Sequence, residues 1–178
     1  DMIQKELAEA FGFDEEDLRA NREKRLSAAQ ESRLRKEANK SWQIAAIIIV
    51  VIAFSTGLAF LLAPFSPVAS VDDATSRFIV IGIMMVVTIG LLFLVGYDSQ
   101  LVRKDIKMNS IKSASGRMNL DKPETGAVGH LRVMAKTFAL KPDQYEVVER
   151  IYDTLRPEID VYFGAHSDRL LSIDVLKN

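Results

Sequence analysis

Hydrophobic positions along this chain change their period twice. Between Met2 and Phe13, Ile3, Leu7 and Ala10 recur at roughly helical spacing until Gly12 interrupts them. Asp14-Glu15-Glu16-Asp17 then places a capping residue and acids at the positive end of a helix dipole. Ser27-Ala28-Ala29-Gln30 matches a capping box, so another helix is predicted to begin there. No breaker follows before Trp42, and this helix is expected to run on into the apolar run beyond. From Trp42 to Ala63 and from Phe78 to Tyr97 periodicity disappears: nearly every residue is apolar, and Asp, Glu, Lys and Arg are absent. Near the end the period becomes two. Ile159, Val161 and Phe163, then Leu171, Ile173 and Val175, alternate with polar or amphipathic residues on either side of Gly164–Asp168, which predicts a β-hairpin.

The two apolar runs hold 22 and 20 residues. At about 1.5 Å per residue they reach about 33 and 30 Å, enough to cross a hydrocarbon core of about 30 Å. A helix on a soluble surface keeps a polar face, and neither run has one. The other 136 residues could hardly cover two such helices from water. The first run begins only at Trp42 and is therefore not expected to be a signal peptide.

Charge fixes a direction. Residues 22–41 hold seven Lys or Arg and residues 98–117 hold five, whereas Arg77 alone lies between the runs. Both termini are therefore expected in the cytoplasm, with residues 64–77 as a short external loop. Pro64 and Pro67 should stop the first helix, and Asp73 or Ser76 could cap the second. Arg33, Arg35, Lys36, Lys40, Trp42, Tyr97, Arg103 and Lys104 are the candidates for the lipid interface. Within the runs only Ser55, Thr56 and Thr88 are polar, beyond Gln43 at the edge, so the helices read as an anchor and not as a pathway for ions. Ala46, Ala53, Gly57, Gly82 and Gly90 are notches where a neighbouring helix could approach, either the other span or a membrane partner.

After Tyr97 the composition is that of a small soluble domain. Strand signals occur at Ile106–Ser113, Arg117–Leu120 and Leu131–Met134, with a loop over residues 121–129. Val147, Val148, Ile151 and Leu155 fit a helix capped by Asp143 and ended by Pro157, with a strand pair as the alternative. The expected fold is that of an α+β membrane protein. Residues 1–41 form a helical arm, 42–63 and 78–97 a transmembrane hairpin, and 98–178 a small β-rich domain of four or five strands.

Asp17-Leu18-Arg19-Ala20-Asn21-Arg22, Leu26-Ser27-Ala28-Ala29-Gln30, the two spans, Val161-Tyr162-Phe163 and Ser167-Asp168-Arg169-Leu170-Leu171-Ser172-Ile173-Asp174 carry a resemblance. In that order the chain resembles small bacterial two-span membrane proteins of unassigned function. The resemblance implies two spans and a cytoplasmic β-rich tail, and it supplies no activity.

Composition narrows the chemistry. The chain has no cysteine, which excludes disulfides, thiolate metal sites and covalently held c-type haem. A net charge of −1, with acids diluting the basic residues of the arm, argues against a nucleic-acid partner, including a helix-turn-helix reading of that arm. His130 and His166 stand 36 residues apart without a third ligand, and Ser167 lacks nucleophile-elbow glycines. Gly126 and Gly129 are too sparse for a phosphate cradle. No catalytic residue, cofactor or metal ligand is therefore nominated. The first expectation is a non-catalytic accessory or scaffold subunit in the bilayer, with a membrane-protein partner or a second copy. The alternative is a membrane-tethered sensor whose β-rich domain binds a ligand.

Overall fold

The computed structural model describes residues 2–62, 71–121 and 128–176. Its elements are α1 (Met2–Phe11), α2 (Glu15–Arg22), α3 (Ala28–Leu62), α4 (Val71–Met108), β1 (Ile111–Arg117), β2 (Asn119–Asp121), β3 (His130–Val133), β4 (Lys136–Ala139), α5 (Pro142–Leu155), β5 (Glu158–Gly164) and β6 (Leu170–Val175). The chain is thus α+β, with two long apolar helices and a small sheet region. Pro64, Pro67 and most of the loop at 121–129 lie outside the described residues. The chain divides into two compact units, residues 36–101 and residues 1–35 with 102–178.

The first unit is the apolar part of α3 and α4. Both helices are long and apolar enough to cross a bilayer, and their hydrophobic stretches are largely exposed. Ala38, Ala45 and Ile52 recur every seven residues along the covered stripe of α3. On the apolar part of α4, Thr88, Leu92, Gly96, Asp98, Ser99 and Leu101 are covered among the described residues. The Ser99 hydroxyl donates to the Ala38 carbonyl at 3.5 Å, and the Trp42 ring lies over Gly96. Helix α4 starts at Val71, so Asp73 and Ser76 stand inside its opening turns and not at its cap.

The second unit joins the beginning of the chain to its end. Sheet one has strand order β1-β5-β6 and sheet two β2-β3-β4, all antiparallel. Leu7, Phe13, Met118, Leu131, Phe138, Val148, Ile159 and Ile173 belong to one core drawn from α1, both sheets and α5. The N-terminal arm is therefore part of the sheet domain and not a separate appendage. Gly12 at φ +70° turns the chain out of α1, a conformation that costs glycine little. Asp14 caps α2 with a full capping box through Asp17. Ser27 and Gln30 exchange the reciprocal bonds at the start of α3.

Three local expectations change. The strand read from Ile106 does not start there: α4 continues to Met108, and β1 begins at Ile111. Residues 98–108 contain no breaker, and Val102 and Asp105 are buried one helical turn apart. Helix α5 begins at Pro142 with Lys141 as its cap, so Asp143 lies in its first turn. Strand β4, which the pattern did not reveal, pairs with β3 through the turn at Met134.

Candidate functional site

Ala46, Ala53, Gly57, Gly82 and Gly90 are all exposed. A Cβ built on Gly57, Gly82 or Gly90 meets no atom within 4 Å. The seam of the hairpin uses Ala45 and Ile52, one residue back from Ala46 and Ala53, which is about 100° around the helix. These notches therefore point away from the seam. Around them Val50, Phe54, Val86, Phe93 and Leu94 are exposed, with Phe54 and Phe93 each at 72%.

At the polar end of the hairpin, Trp42 and Tyr97 are half exposed, and Tyr97 stacks on Phe93 with ring centroids 6.3 Å apart. Lys36, Lys40, Arg103 and Lys104 are exposed. Arg35 pairs with Glu31 at 2.6 Å on the surface of α3. Arg33 turns inward instead and pairs with the buried Asp17, which also accepts from the Ser27 hydroxyl. Its guanidinium ties α3 to α2.

A buried polar cluster of the second unit centres on Asp105, which is 1% exposed. One oxygen accepts from the His166 backbone N–H and stands 2.8 Å from His166 Nδ1, and the other accepts from the Ser167 N–H at 2.9 Å. The Ser110 hydroxyl lies 3.4 Å from the same ring nitrogen. A charge-relay triad needs its serine at Nε2, opposite the carboxylate, and here both neighbours occupy Nδ1. The cluster is a clasp between the end of α4 and the β5–β6 turn. Gly164 belongs to it, because a Cβ there would overlap Asp105 Oδ2 and Ser167 Oγ.

A second polar seam fastens the arm. Asn21 Nδ2 donates to Ser172 Oγ at 2.6 Å, and Arg22 grips Asp174 with two bonds of 2.7 and 2.9 Å. The bond to Asp174 raises the Arg22 pKa against the opposing effect of burial. Gln4 gives its amide N–H to Ile173 O and accepts from Val175 N, completing the open edge of β6 as another strand would.

Comparison with protein-family models, curated proteins and solved structures finds no match.

One cavity remains. It has a volume of about 400 Å³ and is lined by Arg117, Met118, Asn119, Arg132, Met134, Tyr152 and Arg156. Arg117 ends β1, and Arg132 stands opposite Asn119 in the β2–β3 ladder. Arg156 is the left-handed C-cap of α5, at φ 41°, with its guanidinium 4.9 Å from the centre of the Tyr152 ring. Three arginines thus line one small hollow, and among the described residues no carboxylate lines it. Asp121 reaches Arg132 at 3.1 Å from outside the lining, and Arg117 makes no ion pair among the described residues. Sequence reasoning missed this group because the three arginines come from positions 117, 132 and 156, and no local spacing links them. His130, on β3, and His166, in the β5–β6 turn, are not brought together, and no group of three or more metal-ligating side chains forms among the described residues.

Proposed function

We propose that this chain is an integral-membrane accessory or scaffold protein. Its hairpin is immersed in lipid, and both of its ends lie on the cytoplasmic side of a bacterial inner membrane. The observation that carries this reading is the exposed apolar surface of α3 and α4. A core helix of a soluble protein is mostly covered, whereas the apolar windows of these helices are 12% buried. Exposed Ile47, Val50, Phe54, Val86 and Phe93 need a non-aqueous neighbour, because hydrophobic surface left in water costs about 25 cal/mol per Å². The lysine and arginine excess beside both polar ends supports the orientation. The outward-facing notches at Gly57, Gly82 and Gly90 would admit a helix of a membrane partner or of a second copy.

The absence of cysteine makes the test clean. In intact cells an Ala69→Cys variant should react with a membrane-impermeant maleimide, and a Ser115→Cys variant should react only after permeabilisation. Native mass spectrometry of the mildly extracted protein should then show fixed stoichiometry with a partner or with itself. Labelling of Ser115→Cys from outside overturns the topology, and a lone monomer overturns the scaffold role.

A second reading, a membrane-tethered sensor, is favoured by the arginine-lined cavity in the sheet domain.

A further inference from the structure

We propose that the cavity between β1, β2, β3 and the end of α5 is a binding site for a phosphate-bearing small molecule of nucleotide size, a proposal that rests on the sensor reading and names its ligand class.

Charge favours an anion here. The whole chain carries a net charge of −1, yet three arginines converge on about 400 Å³ whose lining has no acid among the described residues. Like charges so placed repel one another, and an anion among them reverses the sign of that interaction. Asp121 offsets Arg132, but among the described residues no carboxylate pairs with Arg117 or Arg156, and Glu158, opposite Arg117 in the β1–β5 register, makes no ion pair with it.

The polar groups favour phosphate among anions. Guanidinium groups only donate, and the Asn119 amide and Tyr152 hydroxyl add further donors. A hollow so rich in donors matches a group with several acceptor oxygens, and the planar fork of arginine suits phosphate in particular. An apolar floor sets the size of the ligand. Met118 is buried, and Met134 and the Tyr152 ring complete an apolar wall beside the charges. Inorganic phosphate alone would leave that wall unused. The volume falls within the usual range for small-molecule sites. By contrast, the larger groove beside α1 and α2 is lined by both signs of charge, Glu9, Glu15 and Glu16 against Lys5, Arg19 and Arg25, and selects neither.

Isothermal titration calorimetry tests this on the full chain in nanodiscs of neutral lipid, with ATP as the probe. One saturable site is expected. Arg117→Gln and Arg132→Gln should each weaken it about tenfold, the loss expected for one charge-assisted hydrogen bond. Arg19→Gln, which removes an exposed charge elsewhere, should leave it within about twofold. Because the fork matters as well as the charge, Arg132→Lys should fall between wild type and Arg132→Gln. Circular dichroism confirms that each variant is folded. The same phosphate chemistry is carried by phosphoinositide headgroups. Retention of such a lipid from doped nanodiscs, lost in both glutamine variants, would support the site and assign it to the lipid source. No binding of either probe, or binding that both glutamine variants preserve, overturns the proposal. If a ligand without phosphate instead saturates this domain, the sensor reading stands and the phosphate assignment falls.

Discussion

Leu7→Ala asks whether the N-terminal helix is part of the domain formed by the end of the chain. The Leu7 side chain is 0% exposed and sits in the core with Ile159, Val161 and Ile173. The substitution removes three carbons, worth about 2.4 kcal/mol at about 0.8 kcal/mol each. Incomplete collapse of the resulting cavity adds to this, and measured Leu→Ala losses run from about 2 to 5 kcal/mol. A loss of about 3 kcal/mol is expected. Pulse proteolysis of the full chain in mild detergent across a urea series reads it directly. With a slope of about 2 kcal/mol per molar, the midpoint should fall by about 1.5 M. Leu155→Ala is the control, since Leu155 is 58% exposed and should cost no more than about 0.5 kcal/mol. If Leu7→Ala matches Leu155→Ala, α1 is an independent arm and the shared core described above is wrong.

Three further outcomes follow from the geometry. Asp105→Asn keeps the size of the side chain but loses acceptor capacity for the N–H groups of His166 and Ser167, so a loss of about 1–3 kcal/mol is expected, with faster hydrogen exchange at those two amides. Gly164→Ala should destabilise by about 1–3 kcal/mol in the same proteolysis assay, because the new methyl group collides with the Asp105 carboxylate and the Ser167 hydroxyl; unchanged stability would contradict the clasp. Burial, aided by Asp160 and Asp174, holds the Tyr162 pKa above its ordinary value of 10.0. The folded state therefore keeps that proton more tightly than the unfolded state does. Its contribution is complete below the ordinary value and is lost as pH rises through the raised one. Tyr162→Phe should flatten the fall of stability as pH rises above about 10, and an unchanged slope would assign the fall to another group.

Whatever depends on neighbours along the chain was legible before any fold was known. Two runs without a charge dictate two long apolar helices, since residues 1.5 Å apart on a helix leave no polar face to hide. The Asp14 and Ser27 capping boxes form as their spacing requires, because a cap is a bond between residues three apart. The closing hairpin could be read too: β5 pairs with β6, and Val161 lies opposite Ile173. Which polar residues are buried emerged only on folding. Ser172 and Asp174 occupy the alternate positions that a half-exposed strand gives to water, yet α2 covers them with Asn21 and Arg22, about 150 positions away. The arm looked detachable because Leu7 finds its partners only across that distance. The same holds for the cavity. Arg117, Arg132 and Arg156 are scattered surface charges in one dimension, and only strand register and a left-handed helix end bring them to one place. Short-range hydrogen bonds and hydrophobic period can be read along a line, whereas convergence of distant side chains is a property of how that line closes on itself.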